Sequence, residues 1–173
     1  SDPYVNVTSG GGLLSQNQIA LDNFIGNGNY DIGHIFTVAC SDVGGIASLG
    51  SVCNSGSKGQ AVTCQYSSNL ENIVLNVACH EIGHSFTATH TFDNCPGNNQ
   101  NRTGGTAYEP GSGSTILSYS GSCGNQNIPT TAIYYHANSL ESMYSFSQVG
   151  GASVCPVFIE ADNQLPELEI PLN

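Results

Sequence analysis

The sequence predicts an α+β domain in which loops outweigh regular structure, and three observations predict it. One segment, "SSNLENIVLNVACHEIGHSF" (67–86), places Ile73, Val74, Val77, Ala78 and Ile82 at helical spacing. Two short runs, "IGHIFTVA" (32–39) and "GGIASLG" (44–50), have the β-branched and Gly-flanked character of strands. Gly occurs 21 times in 173 residues, and Ser, Asn and Thr are frequent, so long loops and modest helix content follow. The length suits one domain, and a 39% hydrophobic share supplies a core.

Taken in order, residues 1–13 read as loop. "SQNQIALDNFI" (15–25) reads as a short helix with Ile19, Leu21, Phe24 and Ile25 at mixed helical spacing, stopped by "GNGNY". The 32–39 strand follows, then the 44–50 strand, whose glycines suit a sheet edge. Ser68 with Glu71 three residues on forms a capping box for the central helix. From Thr89 to Pro129 the chain reads as one long loop, and such a loop is usually functional or cross-linked. "NSLESMYSFSQ" (138–148) is a further helix, with Asn138 and Glu141 as cap signals and Gly150 as its stop. After Cys155, "PVFIEADNQLPELEIPLN" reads as a linker or tail. The expected division is therefore a domain over 1–156 and a tail over 157–173.

Only Lys58 and Arg102 are basic, against 13 acidic residues, for a formal charge of −11. Such a chain repels a polyanion, which excludes nucleic acid as a partner. No run is long enough to span a membrane. The seven cysteines are scattered without a C-x-x-C pair, which points to disulfides in an oxidising, extracellular setting rather than to a thiolate zinc site. The odd count leaves one thiol over. Cys79, in the apolar helical run, is the candidate for it, and Cys95 with Cys123 is a candidate staple for the long loop. No signal peptide is visible, as expected of a secreted chain already processed. Two sequons, at Asn6 and Asn101, matter only where the source glycosylates.

Three of the five histidines fall within "HEIGHSFTATH" (80–90). His80 and His84 lie four apart on a helix, hence on one face, where two imidazoles can grip one ion. Glu81 points slightly round the helix, where it can reach a water held by that ion; two zinc ligands and a general base is the logic of H-E-x-x-H. If the helix ends near Phe86 or Thr87 and the chain turns sharply, His90 returns to the ion as a third ligand. Three neutral imidazoles leave a position open for water, the catalytic rather than the structural arrangement. The other histidines, His34 and His136, read as ordinary core or surface residues.

"HEIGHSFTATH" resembles the metzincin signature, and "GGIASLGSVC" (44–53) and "AYEPGSGSTILSYSGSCG" (107–124) resemble the adamalysin, or reprolysin, proteases, particularly secreted bacterial ones. The similarity runs from Asn17 to Cys155. It implies a twisted mixed sheet with the active-site helix above an irregular lower subdomain, one catalytic Zn2+, and protein or peptide substrates that pair with an edge strand. Here that strand would contribute Gly45, Ile46, Ala47 and Ser48. Ser118, Ser120 and Gly121 would line the specificity pocket, and Tyr119 would stand where some metzincins place a tyrosine that steadies the oxyanion. Ca2+ is left open, with no oxygen-rich motif to identify a site. An inhibitory pro-segment or a cleaved N-terminal segment is a candidate partner, because family members usually carry more chain ahead of the region matched by residues 1–30.

Two positions depart from the family pattern. Thr87 stands at the turn where a glycine is usual, so either the turn is built differently or strain is stored there. Leu117 stands where metzincins place a methionine beneath the metal, a swap of similar volume. Met143, the sole methionine, reads as core. The leading expectation is a secreted zinc endopeptidase; the alternative is a catalytically weakened zinc-binding or adhesion module of the same ancestry. Retention of Glu81 favours the first.

Overall fold

The first helix, α1, begins earlier than its apolar pattern and buries a different face. It spans Gly10–Phe24 and opens on three glycines, which ordinarily resist helix formation. Ser9 caps it by accepting from the Gly12 N–H at 3.3 Å, and the Asp42 carboxylate accepts from the Gly10 N–H at 2.9 Å. Gly10 is required by contact, since a Cβ there would meet Val43 Cγ2 at 2.4 Å. The apolar residues of the pattern are not the buried ones: Ile19 and Phe24 are 59% and 72% exposed, while Leu13, Asn17, Gln18 and Ala20 face inward. The two inward amides are satisfied by Gly59, whose carbonyl accepts from Asn17 Nδ2 and whose N–H donates to Gln18 Oε1, both at 2.6 Å.

This computed structural model describes residues 2–64 and 73–157. The expected capping box of Ser68 and Glu71, and the expected tail beyond Val157, lie outside them.

Among the described residues the sheet has three strands: β1 (Ile35–Thr37), β2 (Gly45–Ala47) and β3 (Ala61–Cys64). Their order is β1-β3-β2, with β1 parallel and β2 antiparallel to β3. β2 therefore sits at an edge, as its glycines suggest. The first strand is shorter than its run of suitable residues because the Ala39 N–H turns back to Thr37 Oγ1 at 3.0 Å. β3 has no counterpart in the sequence reading: four residues are too few for a period, yet all four are buried. Leu13, Cys40, Val62 and Cys64 form the core where α1 crosses the sheet. This mixed content, with a small mixed sheet, is an α+β architecture.

The central helical segment is wound in two ways, a π-type stretch over Ile73–Ala78 and then an α-helix, α2, over Cys79–Ser85. The last helix, α3, spans Ala137–Gln148. Its cap is His136, whose Nδ1 accepts from the Asn138 N–H at 3.2 Å, rather than Asn138 itself. Three disulfides, Cys40–Cys64, Cys53–Cys155 and Cys95–Cys123, leave Cys79 as the free thiol, half-buried. No helix among the described residues is long and apolar enough to cross a membrane.

His34 tests the core. Its Nε2 lies 2.8 Å from Thr63 Oγ1, its Nδ1 is buried without a partner, and burial pushes its pKa down to about 4. An unfolded imidazole takes its proton near ~6.5. Between those values the unfolded chain binds the extra proton, so stability is full above about pH 6.5 and declines as pH falls towards 4. His34→Gln removes this component. On moving from pH 7 to pH 4.5, the urea midpoint of the variant should rise relative to wild type.

Candidate metal centre

Helical winding from Cys79 to Ser85 puts His80 and His84 one turn apart on the same face. The helix then ends on a defined reversal. The Thr87 N–H donates to the His84 carbonyl at 2.9 Å and the Ala88 N–H to the Gly83 carbonyl at 3.0 Å. This pair of bonds closes a Schellman turn, which needs a left-handed residue at its hinge. Thr87 supplies it with φ 73°. The glycine-type turn is thus built with threonine, and strain is accepted there; Thr87 Oγ1 finds Ser142 Oγ on α3 at 3.0 Å. The last helical carbonyls are also taken up, by the Gly50 N–H on His84 O and the Val52 N–H on Ser85 O.

The reversal carries His90 back. His90 Nε2 lies 3.1 Å from both His80 Nε2 and His84 Nε2. Each Nδ1 meets a main-chain carbonyl instead: His80 on Ile116 O at 2.8 Å, His84 on Ala88 O and His90 on Asn101 O, both at 2.7 Å. A carbonyl only accepts, so each Nδ1 carries the proton and each Nε2 keeps a bare lone pair. Burial lowers the pKa of all three; the neighbouring imidazoles lower His80 further, and His90 lowers His84, which reaches about 4. Three neutral lone pairs converge with no proton to share. That donor set fits a cation, and for imidazole nitrogens with an open remaining side it fits zinc.

Glu81 is 4% exposed, and its Oε2 is buried without a hydrogen-bond partner. Burial pushes its carboxyl up to about 8. Gly45 lets the edge strand approach it: a Cβ at Gly45 would lie 2.5 Å from Glu81 Oε1 and 2.8 Å from Val77 Cγ1. The glycine's purpose is contact with α2.

A cleft of about 800 Å³ runs past these groups. Gly45, Ile46 and Ala47 of β2 line it, as do Ser118, Tyr119, Ser120 and Gly121, together with the three imidazoles and Glu81. Ser48 does not join them. Its hydroxyl donates to Gln60 Oε1 at 2.6 Å, towards β3. The Tyr119 ring stacks on Phe92 at 4.5 Å and meets His90 edge-on at 4.8 Å, and burial pushes its hydroxyl up. Leu117 is fully buried beneath α2, with its methyls 3.2 and 3.3 Å from where a Gly83 Cβ would stand. Met143 lies half-buried on α3.

One organising residue escaped the sequence reading. Glu109 is buried and accepts from the Thr91 hydroxyl at 2.6 Å, the Ser114 N–H at 2.7 Å, the Thr115 N–H at 3.1 Å and the Thr115 hydroxyl. Burial raises its carboxyl, but the bonds from Thr115, Thr91 and the two amides outweigh that and hold it below the usual range. The signal was present, because Glu109 is the only acidic residue between Asp93 and Glu141.

The model of the family described as "Metallo-peptidase family M12B Reprolysin-like" matches residues 1–134. No curated protein matches the chain.

Two substitutions probe this framework. Thr87→Ala keeps the left-handed strain and loses the Ser142 bond, whereas Thr87→Gly relieves the strain. Urea denaturation should find the alanine variant less stable than the glycine variant by about 1 kcal/mol. Glu109→Gln turns an amide NH2 onto a cluster of donors and should destabilise the domain by about 1–3 kcal/mol, read the same way.

Proposed function

Because the chain belongs to the reprolysin-like M12B metallopeptidases, we propose that it is a secreted zinc endopeptidase whose catalytic domain covers residues 1–156, with 157–173 as a linker or tail. The observation that carries this reading is the convergence of the His80 and His84 Nε2 atoms on His90 Nε2, each at 3.1 Å, in a cleft also lined by Glu81, whose Oε2 has no partner. His80, His84 and His90 would hold the ion. Zinc, when bound there, supplies Lewis acidity that acidifies water and polarises a peptide carbonyl.

The chain's own residues do the remainder. The buried Glu81 carboxyl, whose ionised form a cation held by the imidazoles would favour, would then take the proton of the attacking water and return it to the leaving amine. β2 offers its main chain to an extended substrate, with Gly45 allowing that strand to stand directly over Glu81. The wall at Ser118, Ser120 and Gly121 would receive a substrate side chain, and Tyr119, whose ring stands 4.8 Å from that of His90, would donate to the developing oxyanion. Three disulfides support an extracellular setting.

The second reading, a zinc-binding module with weakened chemistry, is motivated by Thr87 and Leu117. Both are accommodated locally: the turn still returns His90, and Leu117 fills the space under Gly83.

Elemental analysis paired with casein digestion decides between them. Wild type should bind one zinc per chain and digest casein, and a chelator should abolish digestion until zinc is restored. His84→Ala should lose both metal and activity. Glu81→Gln should keep the zinc and lose activity by roughly 10²–10⁴-fold. Zinc-replete wild type without digestion would favour the binding module.

A further inference from the structure

We propose that the Arg102–Asp93 ion pair is a clamp that positions His90, so that it governs how tightly the metal is held without touching the metal. The inference rests on the metal-site reading of the histidine cluster. It goes further by naming residues outside the site that set its affinity.

His90 is the member of the cluster that α2 does not carry. Its ring plane depends on the Asn101 carbonyl, which accepts from Nδ1 at 2.7 Å. That carbonyl belongs to a three-residue 3-10 turn, Asn99–Asn101, on exposed chain. The turn is bonded to what precedes it. The Asn101 N–H donates to the Asn98 carbonyl at 2.9 Å, and Asn99 Oδ1 accepts from the Cys95 N–H at 2.6 Å. Arg102 supplies the link back towards His90. Its Nε donates to the Asp93 carbonyl at 2.8 Å, and its Nη2 donates to Asp93 Oδ1 at 2.7 Å. Asp93 is itself fixed, because its N–H donates to the Glu109 carbonyl at 2.8 Å.

Two rungs therefore join residues 90–93 to residues 101–102: His90 on Asn101, and Arg102 on Asp93. A planar guanidinium that grips main chain and carboxylate together fixes an orientation that a point charge would not. Without the second rung the Asn101 carbonyl is freer to swing, and the plane of the His90 ring swings with it. Thr106 Oγ1 donates to the His90 carbonyl at 2.7 Å, which holds the main chain and leaves the ring to Asn101. Composition singles out the same pair. Of the chain's two basic residues, Lys58 is buried over the Tyr30 ring at 4.6 Å, and the other stands next to the residue that anchors His90. The pair is 37% and 52% exposed, so it adds little to global stability, and its positioning effect can be read separately.

The experiment measures zinc dissociation constants by competition with a chromophoric chelator, alongside the urea midpoint of the metal-free protein. Arg102→Gln and Asp93→Asn should each weaken zinc binding by about two- to fivefold with the midpoint nearly unchanged. The double variant should be no weaker than either single one, because the same rung is lost once. The sign for Arg102 is diagnostic. Long-range electrostatics alone would tighten zinc when a nearby cation is removed, whereas a clamp weakens it on loss of either partner. Co2+ bound in place of zinc should show a shifted visible absorption band in Arg102→Gln, a report on ligand geometry. Tyr4→Phe, which deletes the 2.8 Å bond to Asn17 on α1, should leave affinity and band in place. Wild type that binds no zinc overturns the metal-site reading and the clamp together. Wild type that binds zinc, with Arg102→Gln binding it equally or more tightly, overturns the clamp alone.

Discussion

Bare imidazole lone pairs on His80 and His84, each held 3.1 Å from that of His90, repel it, and the fold is arranged to hold them there regardless. What fixes them is the other end of each ring, where the Nδ1 proton is bonded to a main-chain carbonyl. Those carbonyls come from three places: the turn at Ala88, the loop at Asn101 and the loop at Ile116. The long stretch with little regular structure after residue 89 therefore has a positional duty. It brings one anchor, Ile116 O, to His80 on the helix and another, Asn101 O, to His90 beyond it. Second-sphere bonds of this kind set tautomer and ring plane together, which is why a loop can serve as rigidly as a strand.

A loop can serve so only if it is itself held. Cys95–Cys123 closes it into a ring around the buried Phe92, against which Tyr119 stacks. Inside that ring Glu109 gathers two amides and three hydroxyls, replacing the ladder that a sheet would have provided. Gly113 makes room for it, at φ 64° and with a would-be Cβ 2.9 Å from Glu109 Cβ. The same loop carries Ile116, Leu117 and Tyr119 in succession, so the anchor for His80, the filler beneath α2 and the wall of the cleft share one support. Thr91, which donates its hydroxyl to Glu109 and its N–H to the Leu117 carbonyl, couples that support to His90 next door.

The histidine cluster and its glutamate were legible because their information is local: spacing on one helix and one turn. The edge position of β2 and the identity of the free thiol were legible for a similar reason, from Gly punctuation and from an apolar helical context. What was not legible depended on distant partners. The start of α1 at Gly10 requires Asp42 and a gap beside Val43, thirty-odd residues away in sequence. The inward face of α1 uses Asn17 and Gln18, polar residues whose burial depends on Gly59 satisfying both. β3 is buried on every residue, so it has no alternation to betray it. The Asn138 cap signal lost to His136, whose ring also stacks on Tyr108 at 5.5 Å.

Thr87 shows how a departure from a local rule is tolerated. A β-branched residue at φ 73° stores strain of about 1–3 kcal/mol. Relaxing it would mean opening the turn, and that would break the Thr87 and Ala88 N–H bonds together and swing His90 out of reach of both partners. The strained conformation is thus over-determined by two main-chain bonds, by the Ser142 contact and by the tie from His90 to Asn101. Gly50 completes the fit, since a Cβ there would stand 3.0 Å from Thr87 Cγ2, so the bulk absent from one side of the contact has moved to the other. A metal bound between the imidazoles would add to the constraints on the turn. The strain at Thr87 and the integrity of the site are therefore one equilibrium, and Thr87 stays left-handed for as long as His90 is held.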